Sequence, residues 1–250
     1  MLQNRLRETW KRQNRLIGTW LFQPCPDHAE IFSQAGFDCL MIDHEHGPNS
    51  PANLTEHLRA AADMPCLVRI SENSDTEIKK VLDAGASGIM VPMVNTAADA
   101  REAVAASLYP PQGRRGCAAG IIRASRFGQA REAYLREAEN VVVICQIETR
   151  QAVDNIKEIA AVDGVDMLFI GPSDLGADMG LIGQADHPDL QAMIERAERA
   201  ILASGKGLAG LARTAGSARA MFGRGYSMVL VSGDTQMLVD ASAAIISALR

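Results

Sequence analysis

The chain has no paired cysteine motif. Its five cysteines (Cys25, Cys39, Cys66, Cys117 and Cys145) are scattered without a CxxC, so neither a zinc site nor a disulfide framework is signalled. Cys39, Cys66 and Cys145 lie in or beside apolar runs and read as small core residues. There is no long acidic or basic tract, and the formal net charge is only -5. Phosphate binding needs a concentrated basic surface, so nucleic acid is not an expected partner. No stretch reaches 18 uninterrupted apolar residues, and the polar start, Met-Leu-Gln-Asn-Arg-Leu-Arg, has no apolar signal core. The expectation is a soluble cytoplasmic protein with no membrane partner. Low-complexity segments, linkers and solenoid repeats are also missing, which leaves one domain over residues 1–250.

What is present is alternation. Short apolar runs at residues 17–21, 37–42, 66–70, 88–93, 141–147, 167–170, 207–211 and 228–231 are separated by longer amphipathic stretches. Continuous apolar runs suit parallel strands covered on both faces. Eight of them predict an α/β fold, a closed (β/α)8 TIM barrel. Helix punctuation agrees. Asp27-His28-Ala29-Glu30 resembles a capping box, and Thr96-Ala97-Ala98-Asp99 opens an alanine-rich helix ending near Leu108. Pro188 suits a first helical turn, and Gly85 and Gly205 suit left-handed helix ends. One connection is long. Its Pro- and Gly-rich segment over residues 109–120 reads as a shaped, functional loop. Residues 235–249 read as an amphipathic helix that completes the barrel or packs on a partner subunit.

A parallel barrel presents its working residues at the C-terminal ends of its strands. Four strands here deliver charged groups to that end. The second runs into Asp43-His44-Glu45-His46, the third carries Arg69, the fifth ends in Glu148, and the sixth leads into Gly171-Pro172-Ser173-Asp174. Glu148 and Asp174 are hard oxygen donors at neighbouring strand ends, a pattern that selects Mg²⁺, Mn²⁺ or a related cation with positions left open for substrate. The competing reading is helix capping, since each acid precedes a predicted helix. His44 or His46 can move a proton near neutral pH while a carboxylate orients the ring. Arg69 needs an anionic partner, either a structural carboxylate or a substrate carboxylate. Arg114 and Arg115 read as solvated loop charges rather than anion ligands. Asp83 closes a helix, where a carboxylate is unfavourable without a specific partner or exposure.

These segments, together with Leu82-Asp83-Ala84-Gly85, Val91-Pro92-Met93-Val94, Tyr109-Pro110-Pro111, Gln146-Ile147-Glu148-Thr149 and Gly171-Pro172-Ser173-Asp174-Leu175, resemble the class II pyruvate aldolases of the HpcH/HpaI family. The resemblance implies reversible cleavage of a 4-hydroxy-2-oxoacid to pyruvate and an aldehyde through a pyruvate enolate. It also implies dependence on Mg²⁺, Mn²⁺ or Co²⁺. By that similarity Glu148 and Asp174 hold the metal, His46 is the acid/base residue, and Asp43 and Asp83 orient its network. Arg69 holds pyruvate, supported by backbone N–H groups of the Gly171–Asp174 turn around Ser173. Gln146 stands behind the metal, and Trp20, Cys117 and Leu211 shape the aldehyde pocket. The resemblance further implies that the loop around Cys117 reaches a neighbouring subunit's site, in a homohexamer of dimers with exchanged C-terminal helices. His44 stands where a small residue is usual, which predicts a narrowed or recharged site. The predicted strands contain no lysine, which disfavours Schiff-base chemistry. Two other enzymatic readings keep the enolate: an oxaloacetate-type decarboxylase and an acyl-CoA lyase of the citrate-lyase branch. A non-catalytic 2-oxo acid binder is the reading from outside enzymology, and such a binder needs no proton shuttle.

Overall fold

The computed structural model of the chain describes residues 5–250. Eight parallel strands pair in chain order and close into a barrel. They are β1 (Leu16–Leu21), β2 (Cys39–Asp43), β3 (Cys66–Arg69), β4 (Gly88–Val91), β5 (Val142–Ile147), β6 (Met167–Ile170), β7 (Gly207–Ala212) and β8 (Met228–Gly233). Every predicted strand is found, with ends that coincide or differ by at most two residues. Closure comes from β1 against β8, where Leu16 pairs with Met228 and Gly18 with Leu230.

The continuous apolar runs follow from burial on both faces. Along β2, Cys39 and Met41 join the cluster inside the barrel, with Leu67, Ile144, Phe169 and Leu230. The alternate residues Leu40 and Ile42 join the larger cluster between sheet and helices. This period-2 division is the ordinary consequence of strand pleating, and it fixes which residues at each strand end face the mouth.

The helices are α1 (Arg5–Gln13), α2 (Pro26–Gln34), α3 (Leu54–Ala60), α4 (Asp75–Ala84), α5 (Ala97–Ser107), α6 (Arg131–Glu137), α7 (Arg150–Asp154), α8 (Ile156–Ala160), α9 (Pro172–Asp178), α10 (Pro188–Ser204), α11 (Ala215–Gly223) and α12 (Asp234–Leu249). Helix α1 lies across the N-terminal end of the barrel. Arg7 there bonds the Val141 carbonyl and the Asp166 carboxylate, and the Trp10 ring lies against Gly207. The segment from Thr96 opens α5 as expected, and Thr96 and Asp99 form a reciprocal capping box there. Gly85 and Gly205 take left-handed φ values of 107° and 75° at the ends of α4 and α10, a conformation that costs a residue with a Cβ. The box expected at Asp27 does not form. Pro26 already occupies the first turn, Cys25 is the cap, and no side chain caps α2.

Helix α12 stands away from its own barrel. Only Asp234 is buried, while Leu238, Val239, Ile245, Ile246 and Leu249 are exposed. Ile17, on the outer face of β1, remains 40% exposed.

Candidate active site

The strand ends gather a compact polar group above the apolar interior. Asp43 and Arg69 pair in register on β2 and β3. Asp43 is fully buried, and its Oδ1 accepts from Arg69 Nε at 2.7 Å. Arg69 Nη1 lies 3.2 Å from Glu45 Oε2, and its guanidinium sits 4.5 Å from the Trp20 ring centre. Burying either charge alone would cost several kcal/mol, roughly; pairing and ring stacking offset that cost. Among the described residues Arg69 Nη2 has no protein partner, so one donor edge is free for an anion.

Asp43 also shapes the loop that follows. Its carboxylate accepts from the backbone N–H of Glu45 at 3.1 Å and of His46 at 3.3 Å. It therefore fixes the main chain of His46 and does not touch the ring. Asn49 ties the far end of this loop to β1 by donating to the carbonyls of Leu21 and Phe22 at 3.3 and 2.9 Å. Gly47 packs so close that a Cβ would meet the Phe22 carbonyl at 2.5 Å. The His46 ring is 59% exposed, with Nε2 at 3.8 Å from Glu45 Oε2. Burial pushes the Glu45 carboxyl above its ordinary range; Arg69 and His46 oppose that, and Asp43 and Asp174 add to it. His44 is turned away from the mouth. Its side chain is 1% exposed, with Nδ1 at 3.7 Å from Glu77 Oε1 on α4. The expectation that His44 narrows or recharges the site is therefore corrected: Asp43 takes the inward position, and alternation sends the next residue outward.

Glu148 is 2% exposed. Its Oε1 accepts from the Met93 N–H at 2.6 Å, and its Oε2 accepts a short hydrogen bond from Gln146 Nε2. Met93 holds that donor with a left-handed φ of 53°. Neither carboxylate oxygen caps a helix, because Thr149 caps α7. The same holds for Asp174. It lies in the first turn of α9, is exposed, and accepts no hydrogen bond among the described residues. Burial raises the Glu148 carboxyl above its ordinary range; Met93 and Gln146 lower it, and Glu45 and Asp174 raise it.

Three features make this donor pair fit a hard divalent cation. Both donors are carboxylate oxygens, and Glu148 feels two like charges that a cation would relieve. Gln146 Oε1 is buried without a partner. Gly171, having no Cβ, lets the Glu148 carboxylate lie against its backbone: a Cβ there would stand 2.7 Å from Oε2. Among the described residues no three His, Cys, Asp or Glu side chains form a ready cage, so most cation positions would stay open to other ligands. The N–H groups of Ser173 and Asp174 precede the first α9 bond, Leu175 N–H to the Gly171 carbonyl, and are free to bind an anion.

Trp20 and Leu211 border the same mouth: Trp20 by its contact with Arg69, and Leu211, 39% exposed, at the end of β7. Asp83 and Cys117 are not brought there within one chain. Asp83 lies at the end of α4 that leads back to the start of β4, and accepts from Arg115 Nη2 at 2.6 Å. Arg115 is not a solvated loop charge. It is 3% exposed, bonds the Tyr134 hydroxyl at 2.8 Å and stacks 4.8 Å from the Tyr109 ring. Arg114 is ion-paired with Asp75 and Glu102. Cys117 follows them, exposed. Sequence reasoning missed Glu45, Met93 and Asn49 as parts of the site. Glu45 and Met93 lie within quoted motifs, but a backbone N–H such as that of Met93 leaves no chemical signal of its own role in the sequence.

A closed (β/α)8 barrel with an acid pair, a titratable histidine and a half-free arginine at the C-terminal strand ends defines an enzyme of proton-transfer and enolate chemistry. Comparison with known proteins narrows that class. The family described as HpcH/HpaI aldolase/citrate lyase matches residues 16–241. The 4-hydroxy-2-oxo-heptane-1,7-dioate aldolase of Salmonella paratyphi C (strain RKS4594) is 41% identical over 247 residues, covering 98% of this chain and 94% of that one. The crystal structure of an HpcH/HpaI aldolase/citrate lyase family protein from Burkholderia cenocepacia J2315 superposes with a TM-score of 0.94 at 34% identity, covering 99% and 100% of the two chains. An HpcH/HpaI aldolase from Desulfitobacterium hafniense DCB-2 gives 0.88 at 31% identity, over 98% and 96%. This chain belongs to the HpcH/HpaI aldolase/citrate lyase family and is a carbon–carbon lyase of the aldolase kind.

Proposed function

We propose that the site cleaves and forms the C3–C4 bond of 4-hydroxy-2-oxoacids, giving pyruvate and an aldehyde. The observation that carries this reading is the placement of Glu148 directly after β5, Asp174 in the turn after β6 and Glu45 after β2, all at the C-terminal strand ends, with Asp174 and Glu45 charge-coupled to Glu148, beside an arginine with a free donor edge. Glu148 and Asp174 would hold a divalent cation, Mg²⁺, Mn²⁺ or Co²⁺. When bound, it supplies Lewis-acid stabilisation of negative charge on the 2-oxoacid oxygens. Arg69 Nη2 and the N–H groups of Ser173 and Asp174 bind and orient the pyruvate carboxylate. His46 accepts the proton of the C4 hydroxyl. The C3–C4 electron pair passes into the C2 carbonyl as the aldehyde departs, and the same imidazole returns the proton to C3. Asp43 holds the loop that presents His46, and Trp20 and Leu211 wall the aldehyde side.

The Asp83 role falls on a second copy. Asp83 and Arg115 form one unit with the loop that carries Cys117, remote from its own mouth, and the exposed apolar face of α12 asks for cover. Both features support a homo-oligomer with exchanged C-terminal helices, assembled as a hexamer. No described helix is long and apolar enough to cross a membrane, and all five cysteines are free; a reducing cytoplasm suits them.

The test is pyruvate release from 4-hydroxy-2-oxoacids by protein stripped with a chelator, then resupplied with each metal. Activity should return with metal in the wild type and not in Glu148→Ala. Release that ignores the chelator, or a fully active Glu148→Ala, overturns the assignment.

A further inference from the structure

We infer that His44 is a positioning residue: charged and paired with Glu77, it ties the ends of β2 and β3 together and so holds the Asp43–Arg69 pair in place for the 2-oxoacid. This role rests on the aldolase reading above. The His44 ring is buried, and neither of its nitrogens has a hydrogen-bond partner among the described residues. Buried polar groups in that state are rare and call for a physical cause. Glu77 on α4 supplies one. Its Oε1 lies 3.7 Å from His44 Nδ1, too long for a hydrogen bond but within reach of a charge pair. The same carboxylate accepts from the Ser71 N–H at 3.1 Å and from the Ser71 hydroxyl at 2.6 Å. Ser71 stands two residues past Arg69, and the His44 N–H donates to the Arg69 carbonyl at 2.9 Å. One acid on α4 therefore meets both strand ends directly behind the Asp43–Arg69 pair.

The neighbouring groups direct a proton to this ring. Burial raises the Glu77 carboxyl, but His44 and the two Ser71 donors outweigh it and hold the acid below its ordinary range, so it is ionised near neutral pH. His57, fully buried on α3, does not compete. Burial lowers its imidazole and a charge on His44 lowers it further, while Glu56, Asn53 and Asp234 act the other way. On the β2 side, Asp43 and Glu45 are engaged by Arg69, and Glu45 also faces His46. Glu77 is thus the acid within 4 Å of the ring, and His44 is its cation. A neutral ring gives the buried side of Glu77 no counter-charge; an imidazolium does. Such a pair is present at low pH and is lost as pH rises through the histidine range.

The experiment measures pyruvate release from a 4-hydroxy-2-oxoacid by the metal-loaded enzyme at about pH 6 and about pH 8.5, either side of the histidine range. Wild type is compared with His44→Asn, Glu77→Gln and the double variant. At the lower pH each single variant should raise KM about 10-fold, the range for losing one charge-assisted contact, with kcat changed less. At the higher pH wild type has lost the same charge, so the variants should lie within about twofold of it. The double variant should be no worse than either single one, because both remove one pair. A role in packing alone gives the same deficit at both pH values. Glu77→Gln keeps an acceptor for Ser71 and removes only the charge, so it carries the test if His44→Asn does not fold. A KM within about twofold of wild type at the lower pH, or a deficit equal at both, overturns the inference and leaves the aldolase reading standing. A wild type that releases no pyruvate at either pH overturns both.

Discussion

Gly171→Ala places one methyl group against Glu148. The new Cβ would stand 2.7 Å from Oε2 and 2.9 Å from the Glu148 Cβ, where real Cβ atoms essentially never come within 3.0 Å of another group. The oxygen must retreat at least 0.3 Å, and 0.7 Å to reach the ordinary contact distance of 3.4 Å. The backbone is not the difficulty: Gly171 has a φ of -97°, open to any residue. Strand β5 is fixed by register to β6, so the side chain must give way. It is held by Met93 N–H and Gln146 Nε2, which resist the swing. Overpacking of this kind costs about 1–3 kcal/mol of stability. The larger effect is on the donor geometry, since a site tolerates roughly 0.5 Å and a 1 Å misplacement costs on the order of 100-fold. We expect Mn²⁺ affinity and turnover each to fall about 10- to 100-fold, with the fold retained. Calorimetric titration of Mn²⁺ into chelated protein, with circular dichroism as the folding control, gives the measurement. Mn²⁺ binding and turnover within twofold of wild type would refute Glu148 as the cation donor.

Three more outcomes follow from particular contacts. Arg69→Lys loses the Nε bond to Asp43 and the planar stack on Trp20; kcat/KM for the 2-oxoacid should drop about 10- to 100-fold in steady-state assays, and an unchanged value would remove Arg69 from substrate handling. Burial holds the Glu148 carboxyl above its ordinary 4.5, so in the window above that value the folded chain binds a proton that the unfolded chain does not. Its contribution is present at low pH and is lost as pH rises through the raised value; urea denaturation of metal-free protein at pH 5 and 7 should show a smaller loss in Glu148→Gln than in wild type. Thr96→Ala removes the α5 cap and should cost about 1 kcal/mol, roughly 2–4 °C in Tm, with kcat unchanged.

The barrel was legible because its physics is local and repeated. Eight continuous apolar runs can be buried on both faces in few ways, and Thr96 with Asp99, or Gly85 and Gly205, announce helix ends through their own backbone chemistry. Asp27 misled because Pro26 took the first-turn place and moved the cap to Cys25. The turn of His44 away from the mouth was implicit in the alternation along β2, where Asp43 already pointed inward. The burial of Arg115 was not legible: it depends on Tyr134, 19 positions away on a helix inside the long connection, and on Asp83 from another helix. The backbone donor of Met93 and the close approach of Glu148 to the bare backbone of Gly171 carry no chemical label in the sequence and emerge only when strands are laid side by side.

The seam between β1 and β8 has a consequence for how the chain is made. Thr19 donates to the carbonyl of Val231 across 212 positions of sequence. During synthesis β1 emerges some 212 positions before β8, its second neighbour. Until then β1 presents an unpaired edge, the template that invites pairing with other chains. Non-local pairing of this span also makes closure slow. The vulnerable moment in this protein's life is therefore birth, when a nearly complete open sheet awaits its last strand. Substitutions along this seam should show first as lower yield of soluble protein, before any effect on catalysis.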